Sequence, residues 1–154
     1  IGERHMKLTT LFAAAAILVP TLSHAEGDLS RANVIDLPME MGTDDNGNMY
    51  FKPNHFDLVT GQAYALVITN IDEYKHELAL NEVLEKIFIR KVEIETADGD
   101  LVAEIKGHIN EVEVGPHQTV EWFFVPVQTG EDLEFTCEIE GHYDAGMFGT
   151  ITIR

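Results

Sequence analysis

Apolar and charged residues alternate along much of this chain. Val92 and Ile94 interleave with Glu93 and Glu95, and Val112 and Val114 with Glu111 and Glu113. A period of two places one row of side chains in a core and the other in water, which is the mark of a half-buried strand. The same reading predicts strands over Ala32 to Met39, Phe56 to Val59, Ala63 to Thr69, Lys91 to Thr96, Leu101 to Ile105, Glu111 to Val114, Val120 to Val127, Leu133 to Cys137 and Thr150 to Ile153. Asn46-Gly47 and Asp98-Gly99 lie between apolar runs, as hairpin turns do, because Asn and Gly tolerate positive φ. Thr129-Gly130 marks a further turn, and Gly115-Pro116 separates two strands. Between His76 and Lys91 the spacing changes: Leu80, Val83, Leu84, Ile87 and Phe88 recur at three and four residues. With Asn81 placed to cap it, a short helix over Glu82 to Phe88 is expected, its basic end at Lys86, Arg90 and Lys91 suiting a helix C-terminus. Eight or nine short strands with one small helix predict an all-β sandwich.

The first 25 residues stand apart from this pattern. Met6 and Lys7 precede an apolar run from Leu11 to Val19, and Ser23-His24-Ala25 offers a small-x-small cleavage site, so residues 6–25 read as an export signal. Residues 1–5 precede the expected initiator and read as a cloning remnant. A membrane-spanning helix needs roughly 20 apolar residues, more than this run supplies before Pro20; a retained membrane anchor is the alternative. The mature protein is expected to begin at Glu26, to occupy residues 26–154 as one domain, and to reside in the periplasm.

Charge narrows the function classes. The 154-residue chain carries 10 Lys and Arg against 27 Asp and Glu, a net charge of −17. Removing residues 1–25 takes away Arg4, Lys7 and Glu3, leaving 129 residues with 8 basic and 26 acidic side chains, or −18. Such a surplus excludes a nucleic-acid binder, which neutralises phosphates with clustered Lys and Arg. It favours attraction to a basic partner, or simply solubility. One domain of this length buries a full core without a disulfide, and only one cysteine exists, Cys137. A free thiol in an oxidising compartment is a liability unless occupied, which favours a metal thiolate over an inert buried cysteine.

Cys137, His142 and Met147 lie in one short loop. A thiolate, an imidazole and a thioether together suit copper, whose Cu(I) state favours sulfur and whose Cu(II) state favours nitrogen. One equatorial ligand is missing, and a second histidine brought from elsewhere in the chain should supply it. His76 is the best candidate.

The C-x4-H-x4-M loop, with an upstream histidine soon after Ile68-Thr69-Asn70, resembles the cupredoxins, the family of plastocyanin, azurin and rusticyanin. Around it "TVEWFFVPVQTGEDLEFTCEIEGHYDAGMFGTITIR" is similar to the family's strand, turn, cysteine-bearing strand, ligand loop and last strand. With "FKPNHFDLVTGQAYALVITN" upstream, the resemblance covers most of residues 30–154. It implies a Greek-key β-sandwich of about eight strands with one short helix, and one type 1 copper ion bound by His76, Cys137, His142 and Met147. Cys137 would bind as thiolate, Met147 as weak axial ligand, and His142 would present its edge to solvent through a patch to which Tyr143, Ala145 and Phe148 contribute. Gly141 and Gly146 stand where that loop must bend tightly.

His76 is preferred because it alone follows an Asn-x-Asp segment at a strand end in the family's position; His55, His108 and His117 read as surface loop residues. His76-Glu77-Leu78-Ala79-Leu80 is not the zinc-protease H-E-x-x-H, since position 80 is leucine. Glu77 stands where plastocyanin and azurin carry an asparagine that ties the two ligand loops together; glutamate can do so as an acceptor, close to Glu138. Met39 and Met41 read as strand packing. The resemblance implies an electron carrier, and a closed set of four protein ligands is not the open site that metal catalysis needs, so no enzyme is expected. The partner expected is a redox protein such as a basic cytochrome c or an oxidase, with no small-molecule substrate. The alternatives are a periplasmic copper-handling protein for sequestration, delivery or resistance, and an accessory subunit of a copper oxidase or reductase.

Overall fold

The computed structural model describes residues 33–154. The expected remnant, the export signal, the mature start at Glu26 and Ala32 of the first expected strand lie outside the described residues. Eleven strands follow in order among the described residues: β1 (Val34–Thr43), β2 (Met49–Lys52), β3 (His55–Leu58), β4 (Ala63–Asn70), β5 (His76–Ala79), β6 (Ile87–Glu95), β7 (Leu101–Ile105), β8 (Glu111–Val114), β9 (Thr119–Pro126), β10 (Gly130–Thr136) and β11 (Phe148–Ile153). All nine expected strands are present, with ends shifted by a few residues. The expected hairpin turns form as well, with Gly47 at φ +85° between β1 and β2 and Gly99 at φ +84° between β6 and β7.

Two strands and one helix differ from the sequence reading. β2 and β5 are not expected from the sequence, because neither Met49-Tyr50-Phe51-Lys52 nor His76-Glu77-Leu78-Ala79 alternates apolar with charged residues. The expected helix over Glu82 to Phe88 is a correction: only a 3-10 helix forms, over Asn81–Lys86, and Ile87 is already extended at φ −122° and ψ 154°. Asn81 does not cap it. Its φ is +41°, and its side-chain amide instead donates to Thr136 Oγ1 at 2.8 Å. From Ile87 onward β6 pairs with β9, Ile87 opposite Pro126 and Val92 opposite Trp122. Ladder hydrogen bonds to a distant strand and burial of Ile87 and Val92 outweigh a local helical spacing, whose preference amounts to only tenths of a kcal/mol per residue, about 0.7 at most.

The strands form two sheets, β2-β1-β4-β9-β6-β7 and β3-β11-β10-β5-β8. Pairing is antiparallel except β1 with β4 and β11 with β3. Leu66, Ile68, Trp122 and Phe124 from one sheet and Leu78, Phe135 and Ile151 from the other are buried in one core. Met39 and Met41 belong to it, as expected of packing residues. A fully buried Leu, Ile or Phe contributes about 1.5–3 kcal/mol relative to exposure, so this core sustains the domain without a disulfide. Among the described residues no helix is long and apolar enough to cross a membrane.

Sheet order decides which loops meet. β10 lies beside both β5 and β11, so the end of β10, the start of β5 and the start of β11 converge. The segments that meet there carry His76, Cys137, His142 and Met147.

Candidate metal centre

His76 opens β5, opposite Val114 of β8, and its side chain is fully buried. The loop that delivers it is folded by Asn70, the last residue of β4. The buried Asn70 amide donates to the carbonyls of Tyr74, Val114 and Gly115 at 2.8, 2.9 and 3.1 Å, and its Oδ1 accepts the Asp72 N–H at 2.9 Å. Asp72, so placed, accepts from His76 Nε2 at 2.7 Å and from Thr43 Oγ1 at 2.7 Å. Burial alone would raise the Asp72 carboxyl; the hydrogen bonds from His76 and Thr43 overcome it and hold the group below the ordinary carboxylate range. Tyr74 packs on the His76 ring, centroids 5.3 Å apart.

Cys137 follows β10 directly and is fully buried. Its backbone N–H donates to the Met147 carbonyl at 3.1 Å, and Met147 N–H donates to the His142 carbonyl at 3.1 Å, so the loop closes on itself. Two glycines make that closure possible: Gly141 and Gly146 sit at φ +85° and +103°, where an L side chain is strained. A Cβ on Gly146 would also come within 3.3 Å of the Met49 carbonyl. Met147 ends the loop with its side chain fully buried.

The two arms meet at three donor atoms. His76 Nδ1 lies 3.2 Å from His142 Nδ1, which lies 3.3 Å from Cys137 Sγ. Nitrogen and sulfur atoms from His76, Cys137 and His142 fall within 4.8 Å of one another, a separation that one ion can bridge. Burial pushes the Cys137 thiol up, against the backbone N–H groups of Glu77 and Ile139 that favour its thiolate. Burial also lowers His142, with the neighbouring His76 acting in the same direction. Both shifts describe a pocket that disfavours a bare charge, and a metal ion reverses this for the thiol by replacing its proton.

Glu77 ties the two arms together. Its N–H donates to Cys137 Sγ at 3.4 Å, and its carboxylate accepts the Glu138 N–H. Burial, followed by the charge of Glu111, raises the Glu77 carboxyl. Glu138 is close by, as expected from the sequence, and Glu111 of β8 joins them with carboxylate oxygens within 4.8 Å. One Glu77 oxygen, Oε1, is buried without a hydrogen-bond partner.

Among the described residues, the other three histidines are not part of this cluster. His55, His108 and His117 are exposed, His55 bonding Thr150 and His117 facing Glu73. Over the site Tyr143 and Phe148 are 46% and 42% exposed and stack at 5.1 Å. Ala145 is only partly exposed, and its carbonyl holds the Met49 N–H at 3.0 Å. Sequence reading missed the roles of Asn70 and Asp72: both belong to the Asn-x-Asp segment that marks a strand end, but nothing local says that one folds the loop and the other reaches the histidine.

Comparison with known proteins agrees with this architecture. The chain is 27% identical, over 96% of its own length and 92% of the relative's, to the copper-resistant cuproprotein CopI of Pseudomonas aeruginosa. Its fold superposes on the multicopper oxidase McoA of Aquifex aeolicus, in its 2F4 variant, with a TM-score of 0.60 at 15% identity, covering 86% of this chain and 32% of the oxidase. The multicopper oxidase of Campylobacter jejuni gives 0.58 at 13% identity, covering 88% and 32%. The chain thus spans about a third of the length of those oxidases. Auracyanin B matches with a TM-score of 0.50 at 13% identity over 84% of this chain and 96% of its own. No family model matches. The fold is cupredoxin-like, an architecture that serves enzymes and single-domain proteins alike.

Proposed function

We propose that this chain is an exported mononuclear copper protein that acts in copper handling. The observation that carries the reading is the convergence of buried His76 and Cys137 with part-exposed His142, because two imidazoles and an unpaired thiol are the donor set that copper selects. Met147, closing the same loop, would add a weak thioether donor to the set. Bound there, copper would supply a one-electron centre cycling between Cu(I) and Cu(II).

The side chains have separable tasks. Cys137 would hold the ion as a thiolate, a form that the N–H groups of Glu77 and Ile139 favour. His76 holds a fixed, water-excluded position and His142 a partly exposed one at the protein's edge. Met147 and the surrounding apolar residues keep solvent from the sulfur. With every donor supplied by protein, no open position is left for a substrate, and we assign no enzymatic activity. The full-length likeness to a protein named for copper resistance supports handling as the role.

A second reading, electron carriage between redox proteins, is favoured by His142 lying partly exposed next to the Tyr143–Phe148 stack. A basic cytochrome or an oxidase is the partner it implies, given the acidic chain. One experiment separates the two: the Cu(I)-loaded protein is mixed with an oxidised basic cytochrome across a salt series, and in parallel with a Cu(I) acceptor protein. Ready copper transfer with sluggish oxidation at every salt supports handling. Fast oxidation that slows as salt screens the charges, over about 8 Å at physiological ionic strength, with copper retained, selects the electron carrier. An intense visible band on adding one equivalent of Cu(II) tests the parent claim, and its absence overturns it.

A further inference from the structure

We infer that Asp72 is a positioning residue of this centre, holding His76 as the tautomer with its proton on Nε2, so that the ring keeps its Nδ1 edge turned to the other donor atoms. The inference rests on the proposed copper site for its consequence but not for its geometry. Asp72 Oδ2 lies 2.7 Å from His76 Nε2 and 2.7 Å from Thr43 Oγ1, and Oδ1 lies 3.3 Å from Thr43 N. The backbone N–H of Thr43 can only donate, and an ionised carboxylate can only accept. The proton in the contact with the histidine therefore belongs to the imidazole, on Nε2.

The Nε2 edge of the ring is thereby fixed on Asp72, and the Nδ1 edge is turned to the donor cluster. The ring is fully buried, so water does not compete for either nitrogen. Its Nδ1 faces His142 Nδ1 at 3.2 Å, which in turn lies 3.3 Å from Cys137 Sγ.

The placement of Asp72 is built rather than incidental. Its side chain is 14% exposed, Asn70 holds its N–H, and Thr43 at the end of the neighbouring strand β1 anchors its carboxylate. The Thr43 hydroxyl lies 2.6 Å from Tyr74 OH, whose ring packs on His76. The imidazole is clamped at its Nε2 end and across its face. A carboxylate on the far nitrogen of a ligand histidine increases the donor strength of the near one, and its negative charge favours Cu(II) over Cu(I).

Nitrogen-15 spectra of the metal-free protein read the tautomers directly. The expected result is His76 with its proton on Nε2. Asp72→Asn, which preserves shape but removes the charge and one acceptor, should mix the His76 tautomers, weaken Cu(II) binding by about 10- to 100-fold and raise the reduction potential. Thr43→Val should give the same trend more weakly, and circular dichroism of both variants reports whether the sandwich is retained. His76 protonated at Nδ1, or at both nitrogens, in the wild-type protein overturns the inference. So does an Asp72→Asn variant with unchanged tautomer and unchanged potential. Because the spectra need no copper, failure of the protein to bind the metal would sink the copper reading alone.

Discussion

The two arms of the centre are built by opposite means. The arm from Cys137 to Met147 is contiguous in sequence and holds its shape through its own backbone: Cys137 bonds Met147, Met147 bonds His142, and two glycines at positive φ permit the bends. The arm carrying His76 is closed by side chains, Asn70 and Asp72, rather than by its backbone. Its position depends on Asn70 reaching the carbonyls of Val114 and Gly115, on Thr43 reaching Asp72, and on β5 lying between β10 and β8. A self-closed loop brings several donors together cheaply. A histidine anchored by three distant segments brings rigidity, because moving it breaks buried hydrogen bonds in each. The contrast assigns ligand spacing to the first arm and ligand orientation to the second.

The sharpest way to break the comparison is Cys137→Ser in the contiguous arm. We expect loss of the strong visible band of the Cu(II) protein with the sandwich retained, since the band needs a thiolate whereas the core is formed by the alternating strands. Visible absorption and far-ultraviolet circular dichroism check both halves, and a serine variant that keeps the band would remove Cys137 from the ligand set. The matching test of the other arm is Asn70→Ala. Its amide satisfies three carbonyls, and a buried group left without its partner costs about 1–3 kcal/mol. Urea unfolding should show a loss of about 3 kcal/mol, along with weakened copper binding although no ligand has changed. A stability equal to wild type would mean that the His76 arm orders itself without Asn70.

Smaller changes sharpen the division of labour. Met147→Leu should keep copper and colour and raise the reduction potential, because a weak thioether donor is lost and apolar surroundings disfavour the dication. An unchanged potential in voltammetry would argue against axial ligation. Glu77→Gln joins the arms differently: the amide still accepts the Glu138 N–H, but a negative charge near the centre is gone. The potential should rise by less than in the methionine variant, since Glu77 meets Cys137 only through its backbone. Loss of the visible band in that variant would instead give its carboxylate a role in holding the ligands.

Glu77 also illustrates a limit on reading electrostatics along a chain. Its proximity to Glu138 follows from the meeting of ligand segments, whereas Glu111 enters the same cluster only because β8 pairs with β5, Glu111 opposite Ala79. Strand pairing between segments more than thirty residues apart leaves no periodic signal, and charges brought together that way are invisible until the sheet order is known.

Fold class and the loop chemistry were legible in the residues themselves. Alternation at Val92 to Glu95 and Glu111 to Val114 declares strands because side-chain direction follows backbone period, and hairpin glycines declare turns because their φ is a local property. Cys137, His142 and Met147 stand out for the same reason: their mutual distances are set by a short stretch of backbone. Tertiary structure decided the rest. It made Ile87 and Phe88 the start of β6 where local spacing suggests the end of a helix, since pairing with β9 outweighs a weak propensity. It turned Asn81 from a cap into a tether for Thr136. It also brought Thr43 onto Asp72, the residue that holds His76, a contact between the end of β1 and the loop after β4 that exists only because those strands lie side by side in one sheet, paired from Val34 opposite Ala63 to Met41 opposite Asn70.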